Sequence, residues 1–220
     1  MKIIDDSAKK LHWWNRNYFF AATVFVVLLN IIVFGALGYG WQHDFEPSDS
    51  WYAMLDFSNL VRSFLNAFSH GNWQHVLLNM LCFFICGLYL ERKEGTLPFL
   101  ALVFAITFFS SLAATAFAGD VYWYGFSGAN FALYAYIIVD YPFMFLRGRN
   151  RTKFNIIAGA VVLTLIYLAC CFNGGTGGIS FVWYPYDFMK NAGHYSGFAA
   201  GLVLGLTVQI TRLIAEKGTK

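Results

Sequence analysis

Charged side chains thin out and apolar ones crowd together in six stretches of this chain, at about 18–40, 73–90, 97–118, 125–146, 154–172 and 192–214. A helix rises about 1.5 Å per residue, so about 20 apolar residues cross a hydrocarbon core about 30 Å thick. Any one block, taken alone, fits a buried core helix equally well. Six in series, joined mostly by short polar connectors, do not. Lipid offers backbone N–H and C=O groups no partner, so each span is expected to be helical. The pattern predicts an all-α polytopic membrane protein, a bundle of six transmembrane helices over 18–214. A short segment, 1–17, precedes it, and a tail, 215–220, follows. The first block is long and lacks an obvious small-residue cleavage site, so it reads as a retained first span.

Two connectors carry patterns of their own. Residues 41–72 place Trp51, Met54, Leu55, Leu60, Phe64, Leu65 and Phe68 at roughly helical spacing. That predicts short helices lying in the outer interface. The fifth-to-sixth connector, "NGGTGGISFVWYPYDFMKN", has four glycines in five positions and then Phe181, Trp183 and Tyr184. Backbone freedom followed by bulky apolar groups suits a lid, and it also suits a loop that is simply mobile.

Composition agrees with the pattern. Hydrophobic residues make up 58% and charged residues 12%, about half the usual charged share of a soluble domain, and mean hydropathy is +0.53. No length remains for a separate soluble domain. The net charge of +3 sorts by side: 13 basic residues fall in the N-terminal segment, alternate connectors and the tail, against Arg62 and Lys190 elsewhere. By the positive-inside rule both termini are cytoplasmic, and the charge calls for no nucleic-acid partner. Cys82, Cys86, Cys170 and Cys171 lie in or at the ends of spans and read as small hydrophobes, with no metal site and no disulfide framework.

Polar groups inside a membrane are costly and usually face an interior. With this orientation the second, fourth and sixth spans all begin outside and run inward. Their outer ends carry His70, His75 and Asn79, then Ser127 in "GFSGAN", then His194 in "NAGHYSGFAAG". Taken singly, each histidine fits a packed residue bonded to a backbone carbonyl. Together at one depth they point to a joint site. His75 and Asn79, four residues apart, share a helix face and both carry donors suited to a developing oxyanion. Gly193, Gly197, Gly201 and Gly205 form a stripe that permits close helix packing. If it meets the span opening with Gly125, Ser127 and Gly128, His194 reaches the Ser127 hydroxyl as its base. No acid is placed to orient the histidine. Asp140 lies about 20 Å further along and is expected to face Arg147 or the headgroups, so the constellation reads as a Ser–His dyad.

These residues together resemble the rhomboid family of intramembrane serine proteases. The resemblance rests on His70, His75 and Asn79 in the second span, Gly125-Phe126-Ser127-Gly128 at the fourth, and His194 with Gly197 and Gly201 in the sixth. It implies the minimal six-helix form. Ser127 would be the nucleophile and His194 the general base and acid. The oxyanion would be held by the Ser127 backbone N–H, His75 and Asn79. It further implies supporting roles for Gly125, Gly128, His70 and, more weakly, Ser111. Glu91 matches a structural glutamate, and Arg62 matches a first-loop arginine, with Val61 where a tryptophan is usual. Phe131 stands where the family often has a tyrosine stacked on the histidine. The implied partners are the lipid bilayer and single-pass transmembrane proteins, cut near the extracytoplasmic side. The implied setting is a bacterial-type inner membrane, and no cofactor or metal is implied. A non-catalytic rhomboid-like chaperone or a small transporter is the alternative.

Overall fold

The computed structural model describes residues 20–37, 57–118, 125–147, 153–175, 178–181 and 192–218. Among the described residues seven helices appear in this order: α1 (Ala21–Leu37), α2 (Phe57–Asn66), α3 (Trp73–Glu94), α4 (Thr96–Ala118), α5 (Ser127–Arg147), α6 (Lys153–Cys171) and α7 (Ala192–Gly218). Six of them coincide with the apolar blocks to within a few residues, because hydropathy and backbone satisfaction act on the same stretch. Over their described residues, α3, α4, α5 and α7 are long and apolar enough to cross a membrane; α1 and α6 are apolar but offer shorter stretches.

Local chemistry sets several boundaries. Asn72 caps α3, its side-chain oxygen accepting from the His75 N–H at 2.8 Å. Gly95, at φ 92°, ends that helix, and α4 starts at the next residue. The extended 41–72 segment contributes α2, as its periodicity predicts, while Trp51, Met54 and Leu55 lie outside the described residues. The fifth-to-sixth connector is the departure from an all-α fold among the described residues. There β1 (Phe172–Gly175) pairs antiparallel with β2 (Gly178–Phe181), in register Phe172 to Phe181. The two strands are two residues apart, the spacing of a tight hairpin. Trp183 and Tyr184 lie outside the described residues.

Helix α5 is the axis of the bundle. Every residue from Ala129 to Ile137 is buried, as in a helix enclosed on all sides, and all but Asn130 are apolar or aromatic. Helices α3, α5 and α7 run in the same direction. Asn130 meets Asn79 near their starts, and Asp140 meets Lys93 near their ends. The α7 glycines follow α5 downward in step: a Cβ on Gly197 would overlap the Gly128 carbonyl, one on Gly201 the Ala132 carbonyl, and one on Gly205 would come 3.2 Å from the Val139 side chain. Here the absence of a side chain is what lets two backbones touch.

Two polar clusters hold the end of the bundle far from Ser127. Buried Glu91 accepts from the α1 backbone N–H groups of Ala22 (3.1 Å) and Thr23 (2.8 Å), and from the hydroxyls of Thr23 (2.7 Å) and Thr96 (2.8 Å). A carboxylate is thereby placed on the orphan donors and positive dipole end of α1. Beside it, Lys93 pairs with Asp140, which also accepts from Gln209 Nε2 at 3.0 Å, and Arg212 makes a two-pronged bond to Glu94 at 3.0 and 2.6 Å. Asp140 therefore faces Lys93 and Gln209, not Arg147 or headgroups. The reason is packing: α5 is enclosed, so its one acid must find partners on α3 and α7.

Candidate active site

The site is built from the starts of α3, α5 and α7. The turn before α5 is fastened at two successive N–H groups. Gly125 N–H donates to the Asn66 carbonyl at 3.2 Å, and Phe126 N–H donates to His70 Nε2 at 3.4 Å. His70 in turn donates from Nδ1 to the Phe68 carbonyl, 3.1 Å away. A carbonyl only accepts, so this bond fixes the neutral tautomer with Nε2 as acceptor. Burial first, and the neighbouring His75 second, push the His70 pKa down to about 4, against the pull of the Phe68 carbonyl. His70 is a neutral staple for the loop. The buried ring of Phe126 packs against Phe68 and Phe83, which anchors the turn in the core and lifts Ser127 to a partly exposed position.

Gly125 has φ 100°, and a Cβ there would lie 2.8 Å from His75 Cε1 and 3.0 Å from Nε2, with Asn79 Nδ2 at 3.5 Å. Both the left-handed backbone and the close approach require glycine. The two donor side chains thus border the backbone just before Ser127. His75 Nδ1 accepts from Gly71 N–H at 3.5 Å, which leaves Nε2 to carry the ring proton toward Gly125. Buried Asn79 Nδ2 has no acceptor among the described residues. Two N–H groups aimed at one small volume suit an oxygen that gains negative charge.

On the α7 side, the Gly193 carbonyl sits 3.0 Å from where a Cβ on Gly128 would stand. The buried His194 ring stacks on Phe131, with centroids 4.5 Å apart and planes 18° from parallel. Phe131 is four residues after Ser127 and so on the same helix face. The imidazole consequently occupies the Ser127 face of α5, one residue from the Gly193 carbonyl that abuts Gly128. Ser111 is buried on α4, and the hydroxyl of its neighbour Ser110 lies 3.8 Å from the Gly128 Cβ position. Asp120, in the connector before α5, and Asp187, in the loop before α7, are the acids that sequence position brings nearest to His194, and both lie outside the described residues. Arg62 is exposed on α2.

The sequence model of the Rhomboid domain matches residues 58–210, most of the chain and all of this site. The chain belongs to the rhomboid family. It is an integral membrane protein by family and by the apolar helices above. It is similar to Rhomboid-like protease 1 of Toxoplasma gondii, 29% identical over 146 residues that cover 66% of this chain and 46% of that protein. It is also similar to Rhomboid protease GlpG of Haemophilus influenzae, 24% identical over 185 residues covering 83% of this chain and 88% of that one. This rhomboid thus spans less than half the length of the Toxoplasma relative.

Within this rhomboid, the sequence-predicted residues His70, His75, Asn79, Gly125, Gly128, Phe131 and His194 gather around Ser127. Three neighbours escape a reading of motifs alone. Asn66 acts through its backbone carbonyl at the end of α2, and Asn72 through the cap of α3. Asn130 donates to the Asn79 backbone carbonyl at 2.9 Å and to its Oδ1 at 3.4 Å. The signal that could have found Asn130 is the one that marks Asn79, a polar residue inside an apolar span.

Proposed function

We propose that this rhomboid is an intramembrane serine endopeptidase working through a Ser127–His194 dyad. One observation carries the reading: His194 stacks on Phe131, one turn from Ser127, while the donors of His75 and Asn79 border Gly125. The protease names of the two relatives support it. In this reading the His194 imidazole takes the hydroxyl proton as Ser127 Oγ adds to a substrate carbonyl carbon. The carbonyl oxygen becomes negative and is held by the Ser127 N–H, His75 Nε2–H and Asn79 Nδ2–H. The C–N bond then breaks, and the imidazolium gives its proton to the leaving amine. Water, deprotonated by the same imidazole, releases the acyl group and restores Ser127.

The substrates in this reading are single-pass transmembrane proteins, cut near their extracytoplasmic end. A continuous helix shields its carbonyls, so the cut falls where small or helix-weakening residues let it unwind. The chain carries a six-span domain at 18–214 between cytoplasmic segments 1–17 and 215–220, with the site opening to the extracytoplasmic face of a bacterial-type inner membrane. The test is labelling of detergent-solubilised protein with a fluorophosphonate. Labelling that disappears in Ser127→Ala and falls in His194→Ala is expected. Full labelling of Ser127→Ala would remove Ser127 as the nucleophile and favour a non-catalytic role for the site.

A further inference from the structure

Asn130 is buried, three residues after Ser127, and lies against α3. Its amide makes two side-chain hydrogen bonds, both from Nδ2 and both to Asn79: 2.9 Å to the backbone carbonyl and 3.4 Å to Oδ1. Its own Oδ1 has no donor among the described residues. Among the described residues the polar end of this side chain therefore serves Asn79 alone. The orientations follow in order. The Asn79 carbonyl can only accept, so Asn130 must present its NH2. That NH2 in turn requires an acceptor from the Asn79 side chain, which turns Oδ1 toward α5 and leaves Nδ2 facing Gly125.

The direction matters because an asparagine amide is nearly symmetric in shape and opposite in polarity at its two ends. Reversed, Asn79 would aim an acceptor at the volume where negative charge develops, and a stabilising contact would become a repulsive one. Buried in a low-dielectric bundle, such a contact is strong in either sense. We propose that Asn130 is a positioning residue for catalysis, acting through Asn79 by holding its amide with the donor toward the oxyanion. This rests on the reading of Asn79 as an oxyanion donor.

The experiment is a double-mutant cycle in detergent, using a dye-labelled single-span peptide with small residues near its outer end. Asn130→Leu keeps the branched shape of the side chain and removes both bonds. It is expected to lower kcat about 10-fold, less than loss of an entire donor, with KM within about two-fold of wild type. In the Asn79→Ala background, itself slowed, the same substitution should leave kcat within about two-fold, since the group it orients is gone. Should Asn130→Leu fail to fold, Asn130→Ala carries the same two comparisons. A wild-type kcat for the Asn130 variant, or an equal loss in both backgrounds, overturns the proposal. A wild-type kcat for Asn79→Ala overturns it as well, and differs from the first result by discarding the oxyanion role of Asn79 itself.

Discussion

An alanine at 125 would place a methyl group 2.8 Å from the His75 ring while holding a backbone angle of φ 100° that side chains resist. Both strains fall on the turn that presents Ser127. Gly125→Ala is therefore expected to lower turnover by about 100-fold, the scale of a misplacement near 1 Å, with a smaller loss of melting temperature. Activity and melting curves in one detergent check it, and wild-type turnover would free the turn of any positional demand. His70 gives a pH dependence at the same scale. Its folded pKa near 4 lies below the ordinary value of 6.5, so between these values the unfolded chain binds a proton that the folded one refuses. Stability from His70 is complete above pH 6.5 and is lost as pH falls toward 4. Melting temperature measured across that window should drop more steeply for wild type than for His70→Asn; parallel curves would contradict it. The parts of the site legible in the sequence are those whose chemistry shows in the residue itself, such as a serine between glycines or histidines inside apolar spans. The role of Asn130 is not legible in that way, because it lies in which neighbour the amide meets.

Among elements, the contact of α5 with α7 is the one most exposed to substitution. Gly197 and Gly201 both meet α5 backbone, which cannot rotate aside, whereas Gly205 meets the Val139 side chain at 3.2 Å. Gly197→Val and Gly201→Val should each lower the melting temperature clearly, and Gly205→Ala only slightly. Gly197→Val should also depress turnover strongly, because its contact with Gly128 lies beside the Ser127 and His194 level. Wild-type melting for Gly197→Val would show that the two helices do not need this approach. The four-residue glycine repeat makes this packing face readable in advance, and hydropathy makes the helix bounds readable to within a few residues. The pairing of Phe172–Gly175 with Gly178–Phe181 is not readable, since glycine-rich sequence permits a strand as easily as a loop.

Across the whole molecule, the two ends of the bundle are joined by different kinds of bond. Away from Ser127, α3, α5 and α7 share ion pairs, a buried one between Lys93 and Asp140 and a partly exposed one between Glu94 and Arg212. Asp140→Asn would leave the Lys93 charge buried and unbalanced, a change that costs about 3–5 kcal/mol when one partner is removed. A large fall in melting temperature is expected, with turnover of the folded fraction close to wild type, since Asp140 lies about 20 Å along α5 from Ser127. Thermal melts beside activity at low temperature check both halves, and an unchanged melt would mean that the pair is not needed for stability. At the Ser127 end the helices meet through neutral contacts, the 2.9 Å bond from Asn130 to the Asn79 carbonyl and the approach of Gly197 to Gly128. The turn before α5 and the loop before α3 are held by longer bonds: 3.2 Å from Gly125 to Asn66, 3.4 Å from Phe126 to His70, 3.5 Å from Gly71 to His75. A clasp is made the same way, light at the catch and firm at the hinge. Strain on the turn that presents Ser127 therefore falls on these light catches before it reaches the joints between the helices.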